Sequence, residues 1–168
     1  GTSSSVQITM NADKSVTANF TANSYTLAVA ATGGSVVADP QKASYSYGET
    51  VSLQAVPGTG YHFTGWSGDL SGTGNPSTLV MNGDKSVTAD FAINTYALNV
   101  SAVNGSITKS PDQATYNYGQ TVSLQAVAAA GYEFAGWSGA ISGTSNPTSV
   151  VMDGVKSVTA SFSASTYA

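Results

Sequence analysis

The sequence predicts a mostly β chain of tandem small modules with little or no helix. Three observations predict it. The chain falls on itself without a gap when slid by 71 residues, so that Tyr25 meets Tyr96, Trp66 meets Trp137 and Phe91 meets Phe162. Short alternations of apolar and polar residues recur between Gly, Asn, Asp and Pro clusters, the period-two signature of half-buried strands. Nowhere do apolar residues recur at helical spacing for three turns.

The offset sets the organisation. Residues 1–24 read as the C-terminal part of a preceding repeat, 25–95 and 96–166 as full repeats, and 167–168 as the start of a next one. The two full copies agree at 40 of 71 positions. Both ends fall inside a repeat and the first residue is Gly1, so the chain reads as a window on a longer array.

Each repeat opens on a strand pattern, Tyr25 to Ala31, with Tyr25, Leu27, Val29 and Ala31 on one side. Thr32-Gly33-Gly34 is a turn, and residues 35–39 return to Pro40. In the second copy the turn is Asn104-Gly105, a hairpin signal, because both central residues of a type I′ turn need positive φ. Residues 50–56 alternate through Val51, Leu53 and Ala55; residues 60–66 place Tyr61 and Phe63 at period two. A Gly, Ser, Asn and Pro loop runs from Ser67 to Ser77. The repeat closes with 78–81, the turn Asn82-Gly83 (Asp153-Gly154 in the second copy), and 86–91. A module this small is marginal alone, so neighbouring modules or chains are expected to add burial.

Composition excludes several functions. Charged residues are 8% of the chain; there are five Lys, no Arg and a net charge of −4. Nucleic-acid binding needs clustered basic residues, so no nucleic-acid partner is expected. No run of 18 apolar residues exists, so no membrane insertion is expected. With no Cys and one histidine, His62, there is little material for a thiol, a metal centre or a Ser-His-Asp triad. Hydroxyl residues replace charge: 45 of 168 are Ser or Thr. No catalytic residue, metal site or cofactor is predicted.

The two copies test this reading from inside the chain. Glu49 meets Gln120, His62 meets Glu133, Asp69 meets Ala140, Asp84 meets Val155 and Asp90 meets Ser161. Lys85 and Lys156 hold, as do the glycines, aromatics and alternating apolar positions. That set specifies a fold, and it argues against acid–base chemistry in every module. Asn75 and Asn146 are retained beside the lysines, the material of a Lys–Asn crosslink, but no carboxylate is retained to serve it.

The candidate ligand-binding residues are aromatic: Trp66, Trp137, Tyr45, Tyr47, Tyr116 and Tyr118. A Trp between glycines could stack on a sugar face. Against that, a small core needs its largest side chain inside, so Trp66, Trp137, Phe91 and Phe162 are expected to be buried. The tyrosine pairs lie two apart and face one side if extended, either as a platform or partly buried. Residues 6–10 and 15–20 carry a hairpin pattern around Asn11-Ala12-Asp13, expected to dock on a neighbouring module or copy.

Tyr-Thr-Leu-x-Val, Gly-Gly-Ser-Val, Tyr-x-Tyr-Gly-Glu-Thr-Val-x-Leu-x-Ala, Gly-Tyr-x-Phe-x-Gly-Trp-Ser-Gly and Lys-Ser-Val-Thr-Ala-x-Phe follow in that order. This string resembles the divergent internalin B-repeat family of bacterial surface and secreted proteins, over nearly the whole chain. The resemblance implies a β-grasp-like module strung in tandem as a spacer, stalk or adhesive element. It implies an extracellular or cell-surface bacterial location. It brings no catalytic residues. The function expected is a structural stalk or fibre, with head-to-tail filament assembly and neighbouring modules or copies of the same protein as partners. The alternative is a carbohydrate-binding accessory array of a secreted polysaccharide-active enzyme, with cell-surface or matrix polysaccharide as partner. Where β-grasp folds have a helix, the segment near Gln41–Gly48 reads extended.

Overall fold

The computed structural model describes Ser5 and residues 7–166. The first repeat supplies β1 (Ser24–Tyr25), β2 (Leu27–Ala31), β3 (Gly34–Asp39), β4 (Tyr45–Ser46), β5 (Glu49–Pro57), β6 (Tyr61–Gly68), β7 (Ser77–Met81) and β8 (Lys85–Ile93). The second supplies β9 (Thr95–Tyr96), β10 (Leu98–Ala102), β11 (Gly105–Ser110), β12 (Tyr116–Asn117), β13 (Thr121–Ala128), β14 (Tyr132–Gly139), β15 (Thr148–Val151) and β16 (Lys156–Ala164). No helix occurs among the described residues. The stretch from Gln41 to Ser44 is irregular, and Tyr45–Ser46 is a short strand.

In each repeat two three-stranded sheets share one core. In the first, β8 lies between β2, which runs parallel to it, and β6, which runs antiparallel. The other sheet is antiparallel throughout, in the order β3-β5-β7. The pair β1-β4 stands beside them. The second repeat repeats every pairing with β9 to β16. Each three-stranded sheet is drawn from one repeat, so each repeat carries its own core; among the described residues only Ser24 and Thr95, the last residues of the repeats before, pair across, with Ser46 and Asn117.

Alternation explains the core. Val51, Leu53 and Ala55 of β5 point inward, as do Leu79 and Met81 of β7 and Val87 and Ala89 of β8. Their polar neighbours face water. Trp66 joins them through a β-bulge in β6, where the register against β8 shifts between Phe63 and Gly65. Strict alternation from Phe63 would turn Trp66 outward. The extra residue puts both aromatics on the inner face, with ring centroids 5.1 Å apart. Phe134 and Trp137 repeat this, 5.1 Å apart.

Three expectations are corrected. The turn at Asn104-Gly105 is not a hairpin: β10 and β11 lie in different sheets, so the turn carries the chain across the core. Only Asn104 takes positive φ, at 63°. Gly105 is needed for space, because a Cβ there would lie 2.5 Å from Cζ of Phe162. The turns at 82–83 and 153–154 likewise pass between sheets, and Lys85 starts the central strand β8. Phe91 and Phe162 are half-buried, because they lie over Gly34 and Gly105 beside the buried cluster.

The third is the hairpin expected over residues 6–10 and 15–20. Residues 7–23 form no strand; Met10 is 71% and Phe20 93% exposed. Val6 and the pair 167–168 lie outside the described residues. The equivalents of this segment, β7 and β8, are held by β5, β2 and β6 of their own module. Two strands without such partners are marginal in water.

Candidate functional site

Four of the six candidate aromatics are core residues. Trp66 is 4% and Trp137 5% exposed, and neither indole has a face to offer a sugar. The indole N–H groups donate to Gly74 O at 2.8 Å and Ser145 O at 2.9 Å, so each Trp holds its Gly-Ser-Asn loop against the sandwich. Backbone bonds from Trp66 N to Gly72 O and from Trp137 N to Gly143 O, both 2.8 Å, fix the same loop. Tyr45 and Tyr116 are buried too. Their hydroxyls donate to Pro40 O at 2.9 Å and Pro111 O at 3.0 Å, and accept from the amides of Lys42 and Gln113. Each phenol thereby pins the turn that precedes it.

The second tyrosine of each pair behaves differently. Tyr47 is 69% exposed, its ring 6.3 Å from that of Tyr25. Tyr118, its equivalent, is half-buried because it crosses to the other repeat. Its ring covers Gly60: a Cβ on that glycine would lie 2.2 Å from Cδ1 and 2.5 Å from Cγ of Tyr118. The connecting residue Asn94 is tied on both sides. Its amide donates to Gly60 O, and its carbonyl accepts from the amide of Tyr118, both at 2.8 Å. Its side-chain oxygen lies 2.7 Å from Nδ1 of His62. Gly60, His62, Asn94 and Tyr118 thus form one junction between the two repeats.

The sequence pattern of the divergent InlB B-repeat domain matches residues 1–24, 25–95 and 96–166. The chain belongs to the divergent InlB B-repeat family. No curated protein matches it. B-repeats are typical of bacterial surface proteins and are a repeat domain rather than an enzyme family.

Several carboxylates of these B-repeats hold backbone and turns. Glu49 accepts from the Ser46 amide at 3.0 Å and pairs with Lys42. Those two contacts, Lys42 first, hold its carboxyl below the usual range. In the second repeat Gln120 accepts from the Asn117 amide at 3.0 Å and meets Gln113 at 3.3 Å. An ion pair in one copy is an amide pair in the other, at the same place and with the same bond to the turn. Asp69 accepts from the Ser86 amide at 2.8 Å, which with Lys85 holds its carboxyl low. Asp84 accepts from the amide and hydroxyl of Thr26, at 2.7 and 3.0 Å, with the same effect. Asp153 is held low by Lys156. Among the described residues no group of three or more His, Asp or Glu could share a metal ion.

The retained asparagines have a clear task. The Asn75 side chain accepts from Ala55 N at 2.9 Å and donates to Ala55 O at 2.8 Å, as a neighbouring strand would. Asn146 does the same to Ala126. Sequence reasoning grouped these asparagines with the lysines; their true partner is backbone, which leaves no side-chain signal. It also missed the Gly60–Tyr118 junction. Both residues are retained in each copy, but nothing in the order of residues says that they meet.

Proposed function

We propose that this chain is a structural spacer of a bacterial surface or secreted protein, a stalk of B-repeats that holds other parts away from the cell. One observation carries the reading: the repeats keep their fold while nearly every acid and base of one copy gives way to a different residue type in the other. The exchange of Lys42–Glu49 for Gln113–Gln120 preserves a turn and discards the charge. A site that moved protons or held a metal would not survive it. The buried tryptophans support the same reading, since they complete the core of modules that lack disulfides.

Small-angle scattering tests the spacer reading. Two modules in line extend to about 60 Å at roughly 30 Å each, against a compact pair that does not. Export of the parent protein, read by surface labelling of intact cells, tests the location. A compact particle or a cytoplasmic parent would defeat the proposal. Tyr47 favours one alternative, the sugar-binding accessory, because its ring is open beside Tyr25. Retention on polysaccharide that is abolished by Tyr47→Ala would establish that reading instead.

A further inference from the structure

The two copies of the junction residues are not equally occupied. Gly60 and Gly131 are equivalent and share one backbone conformation, φ +79° and +81°. Over Gly60 lies the ring of Tyr118; around the Cβ position of Gly131, among the described residues and apart from its chain neighbours, no atom lies within 4 Å. The same asymmetry appears on the tyrosine side. Tyr45 and Tyr116 are buried alike, yet Tyr47 is 69% exposed where Tyr118 is covered. The difference therefore belongs to the second tyrosine and to whether a repeat precedes it in contact.

We propose that the second tyrosine of each Tyr-x-Tyr-Gly turn is a key that seats on the glycine of the preceding repeat's Gly-Tyr turn. Tyr47 is then a key and Gly131 a seat for further B-repeats joined in tandem. Three features support that occupant. The Gly60–Tyr118 joint already shows the fit within the chain. The seat is pre-organised, because Ser165 N donates to Gly131 O at 2.9 Å just as Asn94 N donates to Gly60 O at 2.8 Å. The seat also requires its residue: a ring at this distance leaves no room for a Cβ, and positive φ disfavours side chains there. A tandem repeat brings its tyrosine to the seat along the same short connection that places Tyr118, so that the contact forms within one chain at high effective concentration. This inference goes beyond the spacer reading, and it takes Tyr47 off any sugar-binding surface wherever a repeat precedes it.

Nuclear magnetic resonance of the full chain tests it. The Hα protons of Gly60 lie beneath an aromatic ring and those of Gly131 do not. The expected result is Gly60 Hα resonances upfield of those of Gly131, a difference abolished by Tyr118→Ala and unchanged by Tyr47→Ala. In a chain extended after Thr166 by a further copy of residues 96–166, Gly131 should take the shifts of Gly60. Equal glycine shifts in the parent chain, or an unmoved Gly131 in the extended chain, would overturn the proposal. So would a Gly131 shift that grows with concentration in the unextended chain, which would assign the seat to a second copy rather than to a tandem neighbour. Unchanged dispersion of the Val87 and Val158 methyl signals would show that each variant keeps its core.

Discussion

Trp66 shows how one side chain can serve both core and loop. It is among the largest apolar residues of its module, its ring meets Phe63, and its N–H holds residue 74. Truncation to Ala removes the ring and releases the loop, so Trp66→Ala or Trp137→Ala should cost about 3–5 kcal/mol, measured by urea unfolding. Asn75 is the polar counterpart. Its amide supplies a donor and an acceptor to one residue of β5, an edge that no strand covers at that point. Asn75→Ala leaves the Ala55 amide and carbonyl short of partners, a loss of about 1–3 kcal/mol by the same measurement. Asn75→Asp keeps the acceptor but turns a carboxylate oxygen toward the Ala55 carbonyl, and near neutral pH should cost at least as much as Ala.

At the scale of elements, the junction turn offers an internal control. Gly60→Ala and Gly131→Ala impose the same left-handed strain, about 1–2 kcal/mol, because their φ values agree. Only Gly60→Ala also pushes against the Tyr118 ring. Thermal unfolding should therefore show a larger loss for Gly60→Ala, and it should separate the transitions of the two repeats. Equal losses would mean that the junction adds nothing to stability. The bulge in β6 is the other decisive element, since one added residue chooses which face receives Trp66.

For the whole molecule, acid should act unequally on the two repeats. Glu49, Asp69 and Asp84 are held low in the first repeat, whereas Gln120, Ala140 and Val155 stand in their places in the second. Asp153 is the carboxyl held low in the second. A carboxyl whose pKa is lower folded than unfolded adds stability above the unfolded value and loses it as pH falls through the folded one. The first repeat should lose more stability than the second as pH falls below about 4, the ordinary carboxylate range. Residue-resolved hydrogen exchange or heteronuclear spectra across pH 6 to 2 would read this directly. An equal loss in both repeats would show that these bonds do not bear on stability.

Repetition, alternation and punctuation were legible in the residues alone. The 71-residue offset, the inward set Val51, Leu53 and Ala55, and the absence of helical spacing depend on chain-local periods, which are visible one segment at a time. So was the exchange of titratable residues between copies. The tertiary structure decided who pairs with whom. Asn104-Gly105 marks a reversal in any reading, but only the fold sends β10 to β16 and β11 to β13. It also decided that Trp66 turns inward through a bulge, that Asn75 serves Ala55, and that Tyr118 rests on Gly60. The physical reason is common to all four. A turn sets a local direction, whereas the partner of a strand edge, an amide or a ring is settled by which surfaces the two sheets and two repeats bury together.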